Sequence, residues 1–143
     1  MPDPHKKEST TSACVISLKD LKRTQYEGRM DHFFGIGENC GSTQLNMLCA
    51  FMESGEESRA HFHIRSDIAW FVIEGECTHV TWDQDFNRTE QTIRKGDFVF
   101  VPRGTVHKDI NNSGARFGLV SAYNNVGTGP ETLKVYVEPP IKK

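Results

Sequence analysis

Two histidines separated by a single residue, His61 and His63, are the first residues in this sequence whose spacing suggests chemistry. They stand just before the apolar, β-rich run IAWFVI. Because successive side chains on a strand alternate between its two faces, residues i and i+2 project to the same side, and two imidazoles could converge on one ion. Two histidines so close also occur by chance, as surface or hydrogen-bonded residues. A second run, GDFVFVPRGTVHKDIN from Gly96, bears on this choice.

The size and charge of the chain exclude several classes of function. With 143 residues it matches one ordinary domain that has its own core. A formal net charge of −2, from 17 basic and 19 acidic side chains, gives no positive field for nucleic acid or an anionic membrane. No apolar run approaches the roughly 18 residues needed to cross a bilayer, and the first twelve residues lack the apolar centre of a signal peptide. We therefore expect a cytoplasmic protein without a nucleic-acid or membrane partner.

The sequence has four scattered cysteines that form no CxxC pair: Cys14, Cys40, Cys49 and Cys77. At least two of them sit among apolar residues, as small hydrophobic side chains do. We expect reduced, mostly structural cysteines, and two disulfides would be the alternative in an exported protein.

Short runs of alternating polar and apolar residues, separated by turn signals, predict about ten strands and hardly any helix. This pattern is typical of an all-β sandwich or small barrel with a mouth. The run ACVISL from Ala13 predicts a short strand, and KDLKR after it a helical turn or loop. We expect a flexible tail at residues 1–12, a single domain at 13–138 and a C-terminal tail at 139–143.

Strand parity also assigns faces to individual residues. In TQLNMLCAFM it places the apolar side chains on one face of a half-buried sheet, and these are Leu45, Met47, Cys49 and Phe51. In THVTW it places Val80 and Trp82 inward and therefore His79 outward. His32 has no partner at a ligand spacing, so we interpret it as an ordinary polar position.

Two spaced sets of residues resemble the motifs of the cupin family. The second family motif is a glycine, five residues, PxG, two residues, a histidine, three residues and an asparagine. All its positions are filled, by Gly96, Pro102, Gly104, His107 and Asn111. The first motif is a glycine, five residues, HxH, three or four residues, a glutamate, six residues and a glycine. It is matched by Gly55, His61, His63 and Gly75, but its glutamate is missing.

The resemblance implies an all-β fold, the double-stranded β-helix or jelly-roll barrel of the family. It also implies that His61, His63 and His107 converge inside the barrel on one divalent metal. Three imidazoles favour a transition metal, namely iron, manganese, nickel, copper or zinc, over magnesium or calcium, which prefer oxygen ligands.

The missing glutamate leaves Asp67 as the nearest carboxylate, since it follows His63 after three residues. Counting back from Gly75 instead gives Ile68, which cannot bind a metal. A bulge could bring Asp67 to the metal as a fourth ligand, and the alternative is an ion pair with Arg65. We expect Asp67 to lie near the metal without being an obligatory ligand.

Several further residues could surround the metal. Asn111 and Asp109 share the strand parity of His107 and could orient the imidazoles. Gln44 and Asn46 share one face of their strand and could point either inward or to solvent. The aromatic residues that could form the pocket wall are Trp70, Phe100, Phe117 and Tyr123. The hydroxyl of Tyr123 could act as an acid or hydrogen-bond donor near the barrel mouth.

The resemblance implies a metal-dependent enzyme that acts on a small organic molecule in the barrel, with an oxygenase as the leading possibility. A non-oxidative lyase, isomerase or decarboxylase is the first alternative, and a module that binds a metabolite without turnover is the second. Small cupins commonly pair through an N-terminal strand, so we also expect a homodimer.

Overall fold

The structure, a computed structural model, describes residues 13–25, 30–124 and 134–142 of the chain. In these ranges it contains eleven strands and two short 3-10 helices. The helices are η1 (Leu18–Asp20) and η2 (Glu38–Cys40). The strands are β1 (Thr24–Gln25), β2 (Asp31–Ile36), β3 (Leu45–Met52), β4 (His61–His63), β5 (Ile68–Glu74), β6 (Glu76–Trp82), β7 (Arg88–Arg94), β8 (Phe98–Val101), β9 (Val106–Ile110), β10 (Phe117–Asn124) and β11 (Lys134–Tyr136).

The strands form two antiparallel sheets. Sheet A has the order β1-β2-β3-β10-β5-β8, and sheet B has the order β11-β4-β9-β6-β7. Neighbouring strands in each sheet are often distant in sequence, as when β10 pairs with both β3 and β5. This interleaved order confirms the predicted all-β fold, a double-stranded β-helix. No helix in the described ranges is long and apolar enough to span a membrane.

The hydrophobic core lies between the sheets. Sheet A supplies most of it, and sheet B adds Cys77 and Ile93. The motif glycine Gly75, in the turn between β5 and β6, lies against the backbone just before β10 and has a left-handed φ of 68°. A Cβ atom there would lie 2.3 Å from the carbonyl oxygen of Arg116. Glycine is therefore required at this position both by its backbone conformation and by the lack of space.

The inward face of β3 is the opposite of the predicted one. The buried residues of this strand are Asn46, Leu48, Ala50 and Met52, and Leu45 and Met47 are exposed on the outer face. The strand carries apolar residues on both faces, so alternation alone cannot tell which face is buried. The N-terminal segment lies beside part of the outer face of β3. An apolar groove there is bordered by Met47 and by Ile16, Leu18 and Leu21.

The predicted strand at ACVISL is wrong. Residues 13–17 form no regular structure, and Val15 is 96% exposed. No strand of either sheet pairs with this segment, so its β-forming residues gain no ladder hydrogen bonds. The helical turn expected after it is confirmed as η1. The predicted tail at residues 1–12 lies outside the described residues.

The N-terminal segment contacts η2 through two cysteines. All four cysteines are free thiols, and the Cys14 thiol lies 3.2 Å from the sulfur of Cys40. We expect dilute hydrogen peroxide to join this pair as a disulfide, with two thiols and one peroxide giving one disulfide and two waters. Mass spectrometry of the alkylated peptides should show a Cys14–Cys40 crosslink, while Cys77, which is buried, stays reduced. A crosslink to Cys49 instead would contradict this contact.

Candidate metal centre

Three histidines meet at one point of sheet B. His61 and His63 lie on β4 and His107 lies on β9, where it is the direct cross-strand partner of His61. One ligand atom from each of the three side chains lies within 4.8 Å of the other two. The i, i+2 spacing places two imidazoles on one face, and the cross-strand pairing brings the third to the same face.

The backbone fixes the orientation of two of these rings. Nδ1 of His61 donates to the carbonyl oxygen of Arg59 at 2.8 Å, and Nδ1 of His107 donates to that of Thr105 at 2.9 Å. Because a carbonyl oxygen only accepts hydrogen bonds, the ring proton must be on Nδ1 in both residues. Nε2 of each ring therefore carries the lone pair that a metal ion needs.

The third ring, His63, is 2% exposed, and both of its nitrogens lack a hydrogen-bond partner among the described residues. Nε2 of His107 likewise has no partner there. Buried polar atoms without a partner carry a desolvation penalty of about 1–3 kcal/mol each. A metal ion bound by the three imidazoles would satisfy these nitrogens, so the residues fit a metal.

Burial also keeps the three histidines in the neutral form that binds metals. It lowers the pKa of His63 to about 3 and that of His107 to about 4, and it lowers the pKa of His61 well below its ordinary value. The neighbouring imidazole of His107 lowers the pKa of His61 and His63 further. Proton competition for these ligands is therefore weak at neutral pH.

A turn of the second motif holds the first motif in place. The N–H of Gly104 donates to the carbonyl oxygen of His63 at 2.8 Å, and Gly104 has a left-handed φ of 82°. The N–H of the preceding residue, Arg103, donates to Oδ1 of Asp67 at 3.0 Å. The proline–glycine turn thus holds two points of the first motif: the backbone of His63 at the end of β4, and the side chain of Asp67 just before β5.

Asp67 contacts this turn and is not part of the histidine cluster. Its ion pair is with Arg103 at 3.9 Å and not with Arg65. Its own N–H donates to Oδ1 of Asn124 at 2.8 Å. Ile68, at the position of the missing glutamate, is buried in the core. That Asp67 lies near the metal without being an obligatory ligand stays a prediction.

We expect Asp67→Asn to retain the metal. An asparagine oxygen can accept the same hydrogen bond from Arg103, and the lost ion pair is partly exposed and contributes about 0–1 kcal/mol. Elemental analysis of the purified variant should give the metal content of the wild type, with altered activity. Loss of most of the metal would show that Asp67 is a true fourth ligand.

His61 and His107 form part of the wall of a cavity. The space inside this cavity that water could occupy is about 30 Å³. Tyr123 lines it, as does Trp70, and the Tyr123 ring lies 5.3 Å from that of His63. Of the other proposed wall residues, Phe117 belongs to the core and Phe100 points outward with 66% of its surface exposed.

The prediction that His79 faces outward is wrong. His79 is 3% exposed, and its Nδ1 lies 2.7 Å from Oδ1 of Asp109. Val80, which parity placed inward, is also fully buried, because both faces of β6 are covered at this point. Asp109 lines the cavity, and its backbone N–H donates to Oγ of Ser58 at 2.8 Å. Asp109 in the cavity wall is therefore hydrogen-bonded to His79, a pairing that sequence reasoning missed.

The residues expected to orient the imidazoles have other roles. The amide of Asn111 donates to the carbonyl oxygens of Met52 and Ala115, and it therefore fixes a turn. Backbone carbonyls orient His61 and His107 in place of such side chains. Asn46 is buried on the inward face of β3, whereas Gln44 is exposed.

Among the lining residues that sequence reasoning did not place at the site are four with charged or aromatic side chains, namely His32, Arg59, Lys134 and Tyr136. His32 was interpreted as an ordinary polar position, but it is buried, and burial lowers its pKa to about 4. In the register of sheet B, Lys134 lies opposite His63 and Tyr136 opposite His61. The alternation of Lys134 and Tyr136 shows that they share a face, but only the pairing of β11 with β4 shows that this face is the cavity.

Solved structures with similar folds have low sequence identity to this chain. RemF, a polyketide cyclase from Streptomyces resistomycificus, is 18% identical with a TM-score of 0.73, covering 89% of this chain and 87% of its own. The oxalate decarboxylase of Lactobacillus farciminis is 12% identical with a TM-score of 0.70, covering 83% and 34%. A variant of Bacillus subtilis oxalate decarboxylase is 16% identical with a TM-score of 0.76, covering 94% and 35%. This chain thus spans about a third of the two decarboxylases.

No curated protein matches this sequence. The family model described as "Cupin domain" matches residues 47–123, which is more than half of the chain and includes all three clustered histidines. With the two-sheet barrel, the two motifs and the histidine cluster already described, this match shows that the chain belongs to the cupin family.

Proposed function

We propose that this protein is a metal-dependent cupin enzyme that acts on a small organic molecule in the barrel cavity. The observation that supports it most is the cluster of His61, His63 and His107, with ligand atoms within 4.8 Å of one another and with His61 and His107 in the cavity wall. The three residues would hold one divalent transition metal through neutral imidazoles. Such a metal supplies Lewis-acid polarisation of a carbonyl or a site for binding oxygen.

Tyr123 is the residue that we assign to proton transfer. It lies on β10, lines the cavity and packs against His63, so it is close to the position that the proposed substrate would occupy. A tyrosine hydroxyl can donate a proton or a hydrogen bond to a carbonyl oxygen on which charge develops. Asp67, held at the turn by Arg103, would influence the reaction only through the position of His63.

Two reaction classes are compatible with this site. A non-oxidative reaction, such as a lyase, isomerase or decarboxylase step, is favoured by a potential acid, Tyr123, beside the histidine cluster. An oxygenase is favoured by the ligand set, since three protein ligands leave coordination positions for both oxygen and substrate. RemF and the oxalate decarboxylases, which share the fold, are named for a cyclisation and a decarboxylation.

The test uses protein reconstituted separately with Fe(II), Mn(II), Ni(II), Cu(II) and Zn(II). A panel of small oxo acids and phenols would be incubated with each form in air and without oxygen, with product formation followed by NMR and oxygen uptake by electrode. Turnover without oxygen supports the non-oxidative class, and oxygen uptake that depends on substrate supports the oxygenase. Tyr123→Phe should lower the rate while the metal content stays unchanged. A protein that binds no metal would overturn the proposal.

We also propose a homodimer, with a second copy of the chain seated on the outer face of sheet A. Among the described strands, β8 is at the edge of this sheet, where an edge strand could pair with another chain. Three phenylalanines extend across the outer face beside it: Phe98 is 83% exposed, Phe100 66% and Phe71 37%. A two-fold axis beside β8 would bury these rings against their copies in a self-complementary contact.

We expect light scattering at micromolar concentration to give twice the monomer mass of 16.2 kDa. Phe98→Glu should shift the protein toward the monomer, because a carboxylate cannot be buried in an apolar contact without a partner. Lys95→Glu, in the adjacent turn, serves as the charge control. A wild-type protein that stays monomeric at this concentration would contradict the proposal.

A further inference from the structure

We propose that the substrate is a small organic carboxylate and that Lys134 and Arg59 bind its carboxylate group beside the histidine cluster. This inference rests on the proposed function, because it names the chemical class that the same cavity would hold. It is carried by the position of two cations in the cavity wall, where Asp109 is the one carboxylate among the described lining residues.

Lys134 enters the cavity wall from β11. This strand pairs with β4 so that Lys134 lies opposite His63 and Tyr136 lies opposite His61. Side chains directly opposite each other in an antiparallel pair share a face, so Lys134 is on the face that carries the proposed ligands. It lines the cavity together with His61 and His107. Its ammonium group is therefore a neighbour of the position at which a substrate would meet the metal.

Arg59 approaches from the segment that precedes β4. Its guanidinium lies over the ring of Tyr136 at 4.5 Å from the centroid, and the ammonium nitrogen of Lys134 lies 5.9 Å from the same centroid. A guanidinium carries its N–H donors in a planar fork that matches the two oxygens of a carboxylate. The Tyr136 ring thus holds two cationic side chains on one side of the cavity.

The charges of the cavity wall favour an anion. Among the residues that line it are the two cations and one carboxylate, Asp109, which is already hydrogen-bonded to His79. A divalent metal would make the cavity still more positive. A confined cationic wall attracts anions and disfavours neutral or cationic molecules of the same shape.

The experiment compares small carboxylic acids with their uncharged amides. Acetate, malonate, succinate and benzoate, together with acetamide, malonamide, succinamide and benzamide, would be titrated into the protein as purified, at constant ionic strength, by calorimetry and ligand-observed NMR. We expect at least one acid to bind and its amide not to bind. Lys134→Gln should weaken the binding of the acid by about tenfold, which corresponds to the loss of one charge-assisted hydrogen bond. Arg59→Gln should have a similar effect.

Two further variants keep the result interpretable. Lys134→Arg retains the positive charge and should retain most of the affinity. Lys95→Gln removes an exposed lysine outside the cavity and should leave the affinity unchanged. Thermal unfolding of each variant shows whether it is folded. Equal binding of acids and amides, no binding of any acid, or an unchanged affinity in Lys134→Gln would each overturn the inference.

This test separates the inference from the proposed function. The titrations would be repeated after the metal is removed with a chelator, so that direct coordination of the acid by the metal is distinguished from binding by Lys134. If the metal binds but no acid does, the inference fails and the metal site stands. If no metal binds but the acids still bind the wild type more tightly than Lys134→Gln, the proposed function is wrong and the carboxylate site stands.

Discussion

Replacing His63 by alanine is expected to remove nearly all of the metal from this protein. His63 has two buried nitrogens that lack partners among the described residues, so it contributes a ligand atom and makes no competing hydrogen bond there. Removing a partner that only orients a ligand typically weakens metal binding 10–100-fold. Removing a ligand itself should weaken it by more than about 100-fold. Elemental analysis after gel filtration and direct metal titration would measure this loss, and His107→Ala should give the same result.

A matched control is His32→Gln, which changes another buried histidine in the same cavity wall that does not belong to the cluster. It should keep the metal. If His63→Ala and His107→Ala both retain full metal occupancy while they are folded by circular dichroism, the ion binds elsewhere and the assignment of this site is wrong.

The second large effect is a loss of stability in mild acid when the metal is absent. Burial lowers the pKa of four histidines: His32 and His107 to about 4, His63 to about 3, and His61 well below its ordinary value. In the unfolded chain each has a pKa of about 6.5. The unfolded state therefore binds more protons below pH 6.5, and stability falls as the pH decreases from 6.5 toward 4. Each histidine contributes up to about 1.4 kcal/mol per pH unit within this window.

Denaturant unfolding of the metal-free protein, followed by tryptophan fluorescence at pH 7, 6 and 5, would measure this dependence. The free energy of unfolding should be highest at pH 7 and should fall by several kcal/mol by pH 5. His32→Gln removes one of the four groups, so its dependence on pH should be shallower by about one proton. An unfolding free energy that is the same at pH 7 and pH 5 would show that these histidines are not buried in the neutral form.

The histidine cluster could be predicted from the sequence because its geometry is local. The i, i+2 spacing places His61 and His63 on one face whatever the rest of the fold does. His107 follows a proline–glycine turn at a spacing shared with the family. The all-β class could be predicted for the same reason, since the alternation of polar and apolar residues is visible within each short strand.

Residues whose role depends on what covers a strand could not be predicted in this way. His79 and Val80 lie on opposite faces of β6, and both are buried, so choosing the more apolar residue as the inward one gave the wrong face. The same ambiguity reversed the faces of β3, where apolar residues occupy both sides. Parity groups residues by face, but only the packing of the whole barrel determines which face is inside.

The cations of the cavity were missed for a different reason. Lys134 reaches the site because β11 pairs with β4, which lies about half the chain away in sequence. Nothing in the local pattern around Lys134 specifies that partner. Arg59 likewise obtains its position from the ring of Tyr136 on the same distant strand. Long-range pairing is set by the fold as a whole, so local periodicity carries no information about it.

The hydrogen bond from Gly104 to the carbonyl oxygen of His63 has a further consequence for how the ion would be exchanged. Together with the pairing of His61 and His107, this hydrogen bond holds the ligands in place through contacts within the protein, before an ion binds. The entropy of bringing the ligands together is then lost on folding and not on coordination. A chelator should therefore strip the metal from a chain that stays folded at neutral pH, so that different ions can be compared in a site of constant geometry.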